Sequence, residues 1–209
     1  MTDAKIIAEK LLQVKAVALK PQGFFTWASG WKSPIYCDNR KVLSHPFVRD
    51  FIKSELCNVV FEKFEQAELL AGVATAGIPW GAMVSDQLKL PFIYVRPKPK
   101  EHGLGNQIEG ECKPGQKVVV IEDLVSTGKS SLQAVDALLD KGLNVIGMVS
   151  IFTYGFPVAQ QEFDKRSIKY YSLTDYSSLL SLASAQGTLT EQELALLESW
   201  RNDPAGWMR

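Results

Sequence analysis

The feature that most constrains the fold is an unbroken run of four β-branched residues at 118–121, inside the stretch KVVVIEDLVSTGKSS. Such a run is typical of a parallel strand buried on both faces. Glu122 and Asp123 are expected to end the strand, and a short polar turn at 126–128 follows. Apolar residues then recur at helical spacing across 129–141, at Leu132, Val135, Leu138 and Leu139. The stretch predicts a strand, an acidic tip, a turn and a helix.

The turn after this strand is a candidate anion site. In an open α/β sheet it lies at the carboxyl edge of the strands, and the N–H groups of the helix start favour a phosphate. A Walker A loop is excluded, because that motif needs a glycine where this chain has Asp123. Two carboxylates beside a phosphate site suit a ligand that also carries hydroxyls, such as a sugar phosphate. Two solvated acids before an ordinary capped helix fit the stretch equally well.

Length and composition indicate one domain, 1–209, with a sizeable core. Lys plus Arg and Asp plus Glu number 23 each, so the net charge is +0 and neither nucleic acid nor membrane is favoured as a partner. The three cysteines are widely spaced and odd in number, which favours neither a disulfide framework nor a metal site. There is no signal-peptide block or membrane-length apolar run, so the expected location is cytoplasmic.

The first part of the chain predicts a small hood at about 1–45, ahead of the sheet. Apolar spacing predicts a helix over 3–19. Two short strands are expected at 24–27 and 34–37. The polar residues at 38–41 are expected to form a solvated turn.

The rest of the chain predicts further strands and helices that alternate. Strands are expected at 68–73, 91–95, 143–152 and 168–173. Helices are expected at 46–64, at 158–164 and beyond 175. In the 46–64 helix, Phe47 is among the residues expected to face inward, and Thr190 with Glu193 forms a candidate capping box.

Two more loops are candidates for ligand contact. Residues 74–81 are small and glycine-containing, so their backbone N–H groups could approach an anion closely. Residues 96–107 contain three cations, one histidine and repeated helix breakers. This composition suits a mobile basic lid that closes over a polyanion, and it suits a merely soluble loop as well.

The strand, the two acids and the Thr-Gly turn resemble the phosphoribosyl-pyrophosphate motif of the type I phosphoribosyltransferases. Three further segments match the orotate-specific branch of that family: FTWASGWKSPIYCDNR at 25–40, the small-residue turn at 74–79, and RPKPKEHG at 96–103. Together they resemble the orotate phosphoribosyltransferases over nearly the whole chain. The resemblance implies an α/β fold with a central, mostly parallel sheet flanked by helices, a small N-terminal hood and a mobile basic loop.

The resemblance also implies an activity. Members of this family are pentosyltransferases that move ribose 5-phosphate from 5-phosphoribosyl 1-pyrophosphate to N1 of orotate, in de novo UMP biosynthesis. They use Mg²⁺ and are typically homodimers whose basic loop reaches the neighbouring subunit's site. Neither nucleic acid nor a membrane takes part.

Roles for individual residues follow from the same resemblance. Glu122 and Asp123 match the pair that bonds the ribose hydroxyls, residues 125–130 match the cradle of the 5′-phosphate, and Ser126 also touches orotate. The implied catalytic residues are Lys100, His102 and Asp123. The implied substrate-binding residues are Arg96, Lys100, His102, Glu122, Asp123, Leu124, Val125, Ser126, Thr127, Gly128, Lys129 and Ser130. No residue is assigned as a metal ligand, because Mg²⁺ is expected to be held mostly through substrate and water.

Four positions depart from the family pattern. Ala28 and Ala76 stand where many members carry lysine, and Pro97 replaces a lysine of the basic loop. An arginine that often binds the orotate carboxylate is absent, and Tyr154 lies near its place. The carboxylate must therefore find another partner.

We hypothesise that Lys32 or Arg40 binds this carboxylate, assisted by the helix start at Ser126 and Thr127. Both cations lie in the matching N-terminal segment. Two other functions stay open at this point. A purine phosphoribosyltransferase shares the cradle, and so does a phosphoribosyl-pyrophosphate-sensing transcription regulator, although the lack of basic excess speaks against the regulator.

Overall fold

The structure, a computed structural model, describes residues 2–27, 30–98 and 106–207. Its strands are β1 (Val17–Leu19), β2 (Phe25–Thr26), β3 (Lys32–Ser33), β4 (Ile35–Cys37), β5 (Leu69–Val73), β6 (Phe92–Val95), β7 (Ile108–Glu109), β8 (Lys117–Val125), β9 (Asn144–Thr153) and β10 (Lys169–Asp175). Its α-helices are α1 (Ala4–Gln13), α2 (Pro46–Lys63), α3 (Gly77–Leu88), α4 (Lys129–Asp140), α5 (Pro157–Lys165), α6 (Tyr176–Ala185) and α7 (Glu191–Asn202). A 3₁₀ helix spans Asn39–Ser44.

The central sheet has the strand order β10-β9-β8-β5-β6-β7. The first five of these strands run parallel, and β7 pairs antiparallel with β6. In the middle of the sheet, Val118 of β8 pairs with Leu69 of β5 and with Val145 of β9. This architecture confirms the mostly parallel, helix-flanked sheet expected from the sequence.

Helices cover both faces of the sheet, which explains the unbroken apolar run in β8. Val119 and Ile121 pack in a cluster with α1, α2, α3 and α6, whereas Val118 and Val120 pack in a second cluster with α4 and α5. All four side chains are 0% exposed. The parallel strands end at one edge of the sheet, so the loops that follow β5, β6 and β8 are brought to the same side.

The hood differs from its predicted form. The helix predicted over 3–19 ends at Gln13, and Lys15 adopts a φ of 55°. Val17–Leu19 forms a strand that pairs antiparallel with β4. Val17 is β-branched and 3% exposed, so strand pairing and burial outweigh the helical spacing of the sequence. A second antiparallel pair joins β2 to β3.

Other boundaries and orientations also need correction. β8 runs on to Val125, so the two acids lie inside the strand instead of ending it. Pairing with β9 as far as Thr153 explains this extension. Phe47, expected inside, is 94% exposed. At 3.6 residues per turn it points about 180° away from Leu56, which is buried in α2. Leu139, in the last turn of α4, is 41% exposed.

The C-terminal helices close the fold over the hood. Thr190 and Glu193 form the predicted capping box at the start of α7. Trp200 of α7 is 0% exposed, and its Nε1 donates a hydrogen bond to the carbonyl oxygen of Lys32 at 3.1 Å. Across the described ranges, none of the helices has the length and apolar character needed to span a membrane.

Candidate active site

Glu122 and Asp123, the acid pair, lie near the end of β8 at the carboxyl edge of the sheet. Glu122 is 5% exposed. Its Oε1 accepts a hydrogen bond from the N–H of Asp123 at 3.0 Å, and its Oε2 accepts one from Oγ of Ser131 at 3.2 Å. The carbonyl oxygen of Asp123 accepts a hydrogen bond from Nδ2 of Asn39 at 2.7 Å. The acid pair is therefore tied both to the first turn of α4 and to the hood.

The acid pair binds protons more tightly than ordinary carboxyl groups do. Burial raises the pKa of Glu122 well above its usual range, and the negative charge of Asp123 raises it further. Burial also raises the pKa of Asp123, although its hydrogen bond with Glu122 and the charge of Arg40 oppose that rise. Two carboxyl groups in such contact titrate together, and the pair can both accept and donate hydrogen bonds. The hydroxyls of a sugar require partners of this kind.

The turn between β8 and α4, residues 126–128, forms the predicted cradle. Gly128 is the N-cap of α4 with a φ of 79°, and a glycine has no side chain with which to cap the helix. The N–H groups of the first turn therefore lack helix partners, and the helix dipole gives them positive potential. Lys129 and Ser130 are exposed beside the turn. A phosphate group fits this arrangement.

The small-residue turn after β5 lies directly against β8. A Cβ at Gly77 would come within 2.5 Å of the carbonyl oxygen of Ile121, so α3 begins in backbone contact with the strand of the acid pair. A cavity of about 50 Å³ has Ala74, Arg96 and Ser130 among its lining residues. The three loops that the sequence singles out therefore meet at one edge of the sheet.

The basic segment leaves the sheet at Arg96 and returns at Gln107. The N–H of Arg96 donates to the carbonyl oxygen of Gln107 at 2.8 Å, and Nε2 of Gln107 donates to the carbonyl oxygen of Arg96 at 3.1 Å. Nη1 of Arg96 lies 3.7 Å from Oε1 of Glu109, and within the described ranges it is buried without a hydrogen-bond partner. The Arg96 side chain is 34% exposed, so other N–H groups of its guanidinium remain open to an anionic ligand. Lys100 and His102 lie outside the described residues.

Comparisons with known proteins agree with this arrangement. The phosphoribosyl transferase domain matches residues 49–177. The chain is 56% identical over 206 residues to an orotate phosphoribosyltransferase of Phocaeicola vulgatus, covering 99% of this chain and 97% of that protein. It is 53% identical over 200 residues to one of Bacillus subtilis, covering 96% and 93%. The chain belongs to the orotate phosphoribosyltransferase family.

A solved structure agrees with the family assignment. The crystal structure of orotate phosphoribosyltransferase from Aeropyrum pernix matches with a TM-score of 0.76 at 28% identity, covering 88% of this chain and 99% of that chain. The resemblance to orotate phosphoribosyltransferases expected from the sequence is therefore confirmed, together with the type I fold.

Tyr154, near the place of the arginine that many orotate phosphoribosyltransferases carry, belongs to the core. It is 2% exposed, and its ring centroid lies 4.9 Å from that of Trp27, 5.6 Å from that of Phe156 and 5.7 Å from that of Trp200. Burial raises the pKa of its hydroxyl well above the usual value. An orotate carboxylate must therefore be bound by other groups.

The two cations hypothesised to bind that carboxylate have different surroundings. Nε of Arg40 donates to Oδ1 of Asp38 at 2.6 Å, and the charge of Arg40 opposes the rise in the pKa of Asp123. Nζ of Lys32 lies 5.1 Å from the ring centroid of Phe24 in the hood. The charge of Arg40 therefore acts on the acid pair, which favours Arg40 over Lys32 as a residue of the predicted sugar site.

The positions that lack the family's lysines are only partly described. Ala76 is the half-buried N-cap of α3, and Pro97 is exposed next to the exposed Lys98. Ala28 lies outside the described residues. The exposed Lys129 stands at the start of α4. Positive charge is therefore present on both the basic segment and the cradle.

Two residues that hold the acid pair in place, Asn39 and Ser131, were not singled out by the sequence. Asn39 belongs to the 38–41 segment, for which a solvated turn was expected. Arg40 and Lys41 are exposed as expected, but the segment enters a 3₁₀ helix that buries the side chain of Asn39 at 0% exposure. Ser131 is 1% exposed. Their local sequence carries no signal of burial, since Asn and Ser are mostly exposed residues.

The donor set near the acid pair fits Mg²⁺ bound mainly to substrate. Within the described ranges, no group of three or more His, Cys, Asp and Glu side chains could hold a metal ion. Asp123 and Asp38, whose negative charge raises the pKa of Asp123, carry carboxylate oxygens of the kind that could hold Mg²⁺. Mg²⁺ commonly takes one or two carboxylates together with substrate phosphates and water.

Proposed function

We propose that this protein transfers ribose 5-phosphate from 5-phosphoribosyl 1-pyrophosphate to N1 of orotate, yielding orotidine 5′-monophosphate and pyrophosphate in de novo UMP biosynthesis. The observation that supports this proposal most directly is that the acid pair, the cradle and the base of the basic segment meet at one edge of the sheet. The orotate phosphoribosyltransferases of Phocaeicola vulgatus and Bacillus subtilis, which match nearly the whole chain, support the choice of orotate.

The charges of the site suit this reaction. Departure of pyrophosphate leaves positive charge on the ribose ring and places negative charge on the leaving oxygens. The 126–128 turn holds the 5′-phosphate, and the carboxylate of Asp123 bonds the ribose hydroxyls. Arg96, with Lys100 and His102, stabilises the leaving pyrophosphate.

Glu122 is 5% exposed and each of its oxygens already accepts one hydrogen bond within the protein, whereas Asp123 is half-buried and thus the more accessible of the two carboxyl groups. In our proposal Asp123 is the carboxylate that faces the sugar. Ser126 contacts orotate, and Arg40 is the favoured partner of the orotate carboxylate.

Mg²⁺ supplies charge neutralisation of the pyrophosphate when it is bound, and Asp123 with Asp38 would hold it, partly through water. Oxygens of the substrate would supply its other ligands. The chain's own residues orient the sugar and exclude water from it, which prevents hydrolysis of the activated substrate.

We also propose the remaining features of the family for this chain. It forms one domain over 1–209, whose hood at about 1–45 faces the base. It acts in the cytoplasm as a homodimer in which the basic segment of one subunit completes the site of the other. Size-exclusion chromatography with light scattering, and mixing of subunits inactivated at different sites, test the shared-site arrangement.

The activity is tested by following orotate consumption through its absorbance, with and without phosphoribosyl pyrophosphate and Mg²⁺. We expect loss of orotate only when both are present. Adenine, hypoxanthine and xanthine are offered in parallel, because a purine enzyme would use one of them and leave orotate unchanged. Binding of phosphoribosyl pyrophosphate without transfer to any base would instead indicate a sensing protein.

A further inference from the structure

Asn39 joins the hood to the strand that carries the acid pair. Its side chain is 0% exposed, and its Nδ2 donates to the carbonyl oxygen of Asp123 at 2.7 Å, across 84 positions of the chain. Its Oδ1 accepts a hydrogen bond from Sγ of Cys37 at 3.5 Å. The oxygen of the amide is thus used inside the hood, so its NH₂ group is directed at β8.

This hydrogen bond occurs where the sheet no longer supplies partners on one side of β8. β5 pairs with β8 as far as Gly72↔Ile121. A buried backbone group beyond that point needs another partner, because a buried polar group without a hydrogen bond destabilises the fold. The side chain of Glu122 binds the N–H of Asp123, and Asn39 binds its carbonyl oxygen. The backbone of Asp123 is therefore held at both of its polar groups.

We propose that Asn39 is a positioning residue for the transfer reaction, which holds the Asp123 backbone so that the Asp123 carboxylate points at the ribose of the substrate. The inference rests on the proposed function, in which Asp123 is the sugar-facing carboxylate. Asp123 lies beyond Ile121, the last residue of β8 that pairs with β5, so without Asn39 the orientation of the Asp123 carboxylate would be less restricted. Since Asn39 belongs to the hood, the hood takes part in recognition of the sugar.

The test compares Asn39→Asp and Asn39→Ser with the control Thr174→Val. Oγ1 of Thr174 donates to the carbonyl oxygen of Ala4 at 2.7 Å, and Thr174 is 1% exposed, so this is a matched buried bond on β10. Asn39→Asp keeps the shape and replaces the donor by an acceptor, whereas Asn39→Ser keeps a shorter donor. The measurements are the melting temperature, kcat and KM for both substrates, and the Kd of phosphoribosyl pyrophosphate and of pyrophosphate by calorimetry.

We expect kcat/KM for phosphoribosyl pyrophosphate to fall roughly 10²-fold in Asn39→Asp, because displacing a reacting group by about 1 Å has an effect of this size. Asn39→Ser should lose less. The Kd of pyrophosphate, which lacks the ribose, should stay unchanged in both when it is measured without Mg²⁺, so that a Mg²⁺ ion held by Asp123 does not contribute. Thr174→Val should lower the melting temperature and keep wild-type kinetic constants.

The proposal is wrong if folded Asn39 variants keep wild-type kcat/KM, or if they lose affinity for pyrophosphate as strongly as for phosphoribosyl pyrophosphate. If Asn39→Asp does not fold, Asn39→Ser decides the matter at a temperature where it is folded. An incorrect proposed function would give a different result, because the wild-type protein would then transfer no ribose 5-phosphate to orotate. In that case weaker binding of phosphoribosyl pyrophosphate, with pyrophosphate binding intact, would still support the role of Asn39.

Discussion

The backbone at Gly77 is in such close contact with Ile121 that a Cβ at position 77 would stand 2.5 Å from the Ile121 carbonyl oxygen. Ile121 directly precedes the acid pair in β8, and Gly77 begins α3 after the small-residue turn. With no side chain between them, the two backbones determine how far apart these loops lie. The contact is therefore both a packing constraint and a constraint on the site.

Gly77→Ala should lower the free energy of unfolding by about 1–3 kcal/mol, because neither backbone can give way without shifting a buried element. Urea denaturation measures this loss. Gly23→Ala is the control, since the added Cβ there meets only the flexible end of Lys20, at 3.0 Å. We expect that change to stay within about 0.5 kcal/mol of wild type. A Gly77→Ala protein as stable as the control would contradict the close contact.

Glu122→Gln should flatten the dependence of stability on pH. The pKa of Glu122 is raised in the folded state, so folding takes up a proton. The corresponding stability is fully present below the ordinary carboxyl pKa of about 4.3 and is lost as pH rises through the raised value. Gln has a similar shape and does not titrate. Asp123 titrates together with Glu122, so the difference between the two proteins reports the acid pair rather than Glu122 by itself.

The measurement is the free energy of unfolding in urea from pH 4 upward, in steps of about one unit across the carboxyl range. Wild type should lose stability relative to Glu122→Gln as the pH rises. Curves that run parallel over the whole range would show that Glu122 titrates as an ordinary carboxyl group.

Lys100→Ala should reduce kcat/KM for phosphoribosyl pyrophosphate by roughly 10²–10³, the usual effect of removing one well-placed charged donor. Stability should hardly change. Lys98→Ala is the control, because Lys98 lies in the same basic segment and has no assigned role. A loss of less than severalfold in folded Lys100→Ala would remove the lid assignment.

Arg40→Ala should raise the KM for orotate by roughly 10-fold or more, since a hydrogen bond between charged groups contributes about 1.5–3 kcal/mol. Lys32→Ala should have a smaller effect, because Lys32 lies over Phe24 in the hood. Lys41→Ala is the matched control, since its Nζ donates to the carbonyl oxygen of Lys15 at 3.1 Å. Wild-type KM values in both the Arg40 and Lys32 variants would exclude the hypothesis for the carboxylate.

The local pattern of apolar residues was sufficient to predict the secondary structure of the central part of this protein. The β-branched run at 118–121 required a strand buried on both faces, and the spacing from Leu132 to Leu138 required a helix after it. Both are properties of neighbouring residues, so they need no knowledge of the rest of the chain. The motifs at 25–40, 74–79 and 96–103 then indicated the family, which the comparisons confirmed.

Contacts between segments that are distant in sequence determined the strand boundaries and the burial that the local pattern of residues did not predict. Pairing with β4 converted Val17–Leu19 from predicted helix to strand, and pairing with β9 carried β8 past the acid pair. Burial of Asn39 against Asp123 depends on residues 84 positions apart. Sequence pattern was thus enough to identify the acid pair, the cradle and the basic segment. Which side chains are buried and how they are oriented, Asn39 and Ser131 included, depends on tertiary contacts, because burial is set by neighbours that a local pattern does not specify.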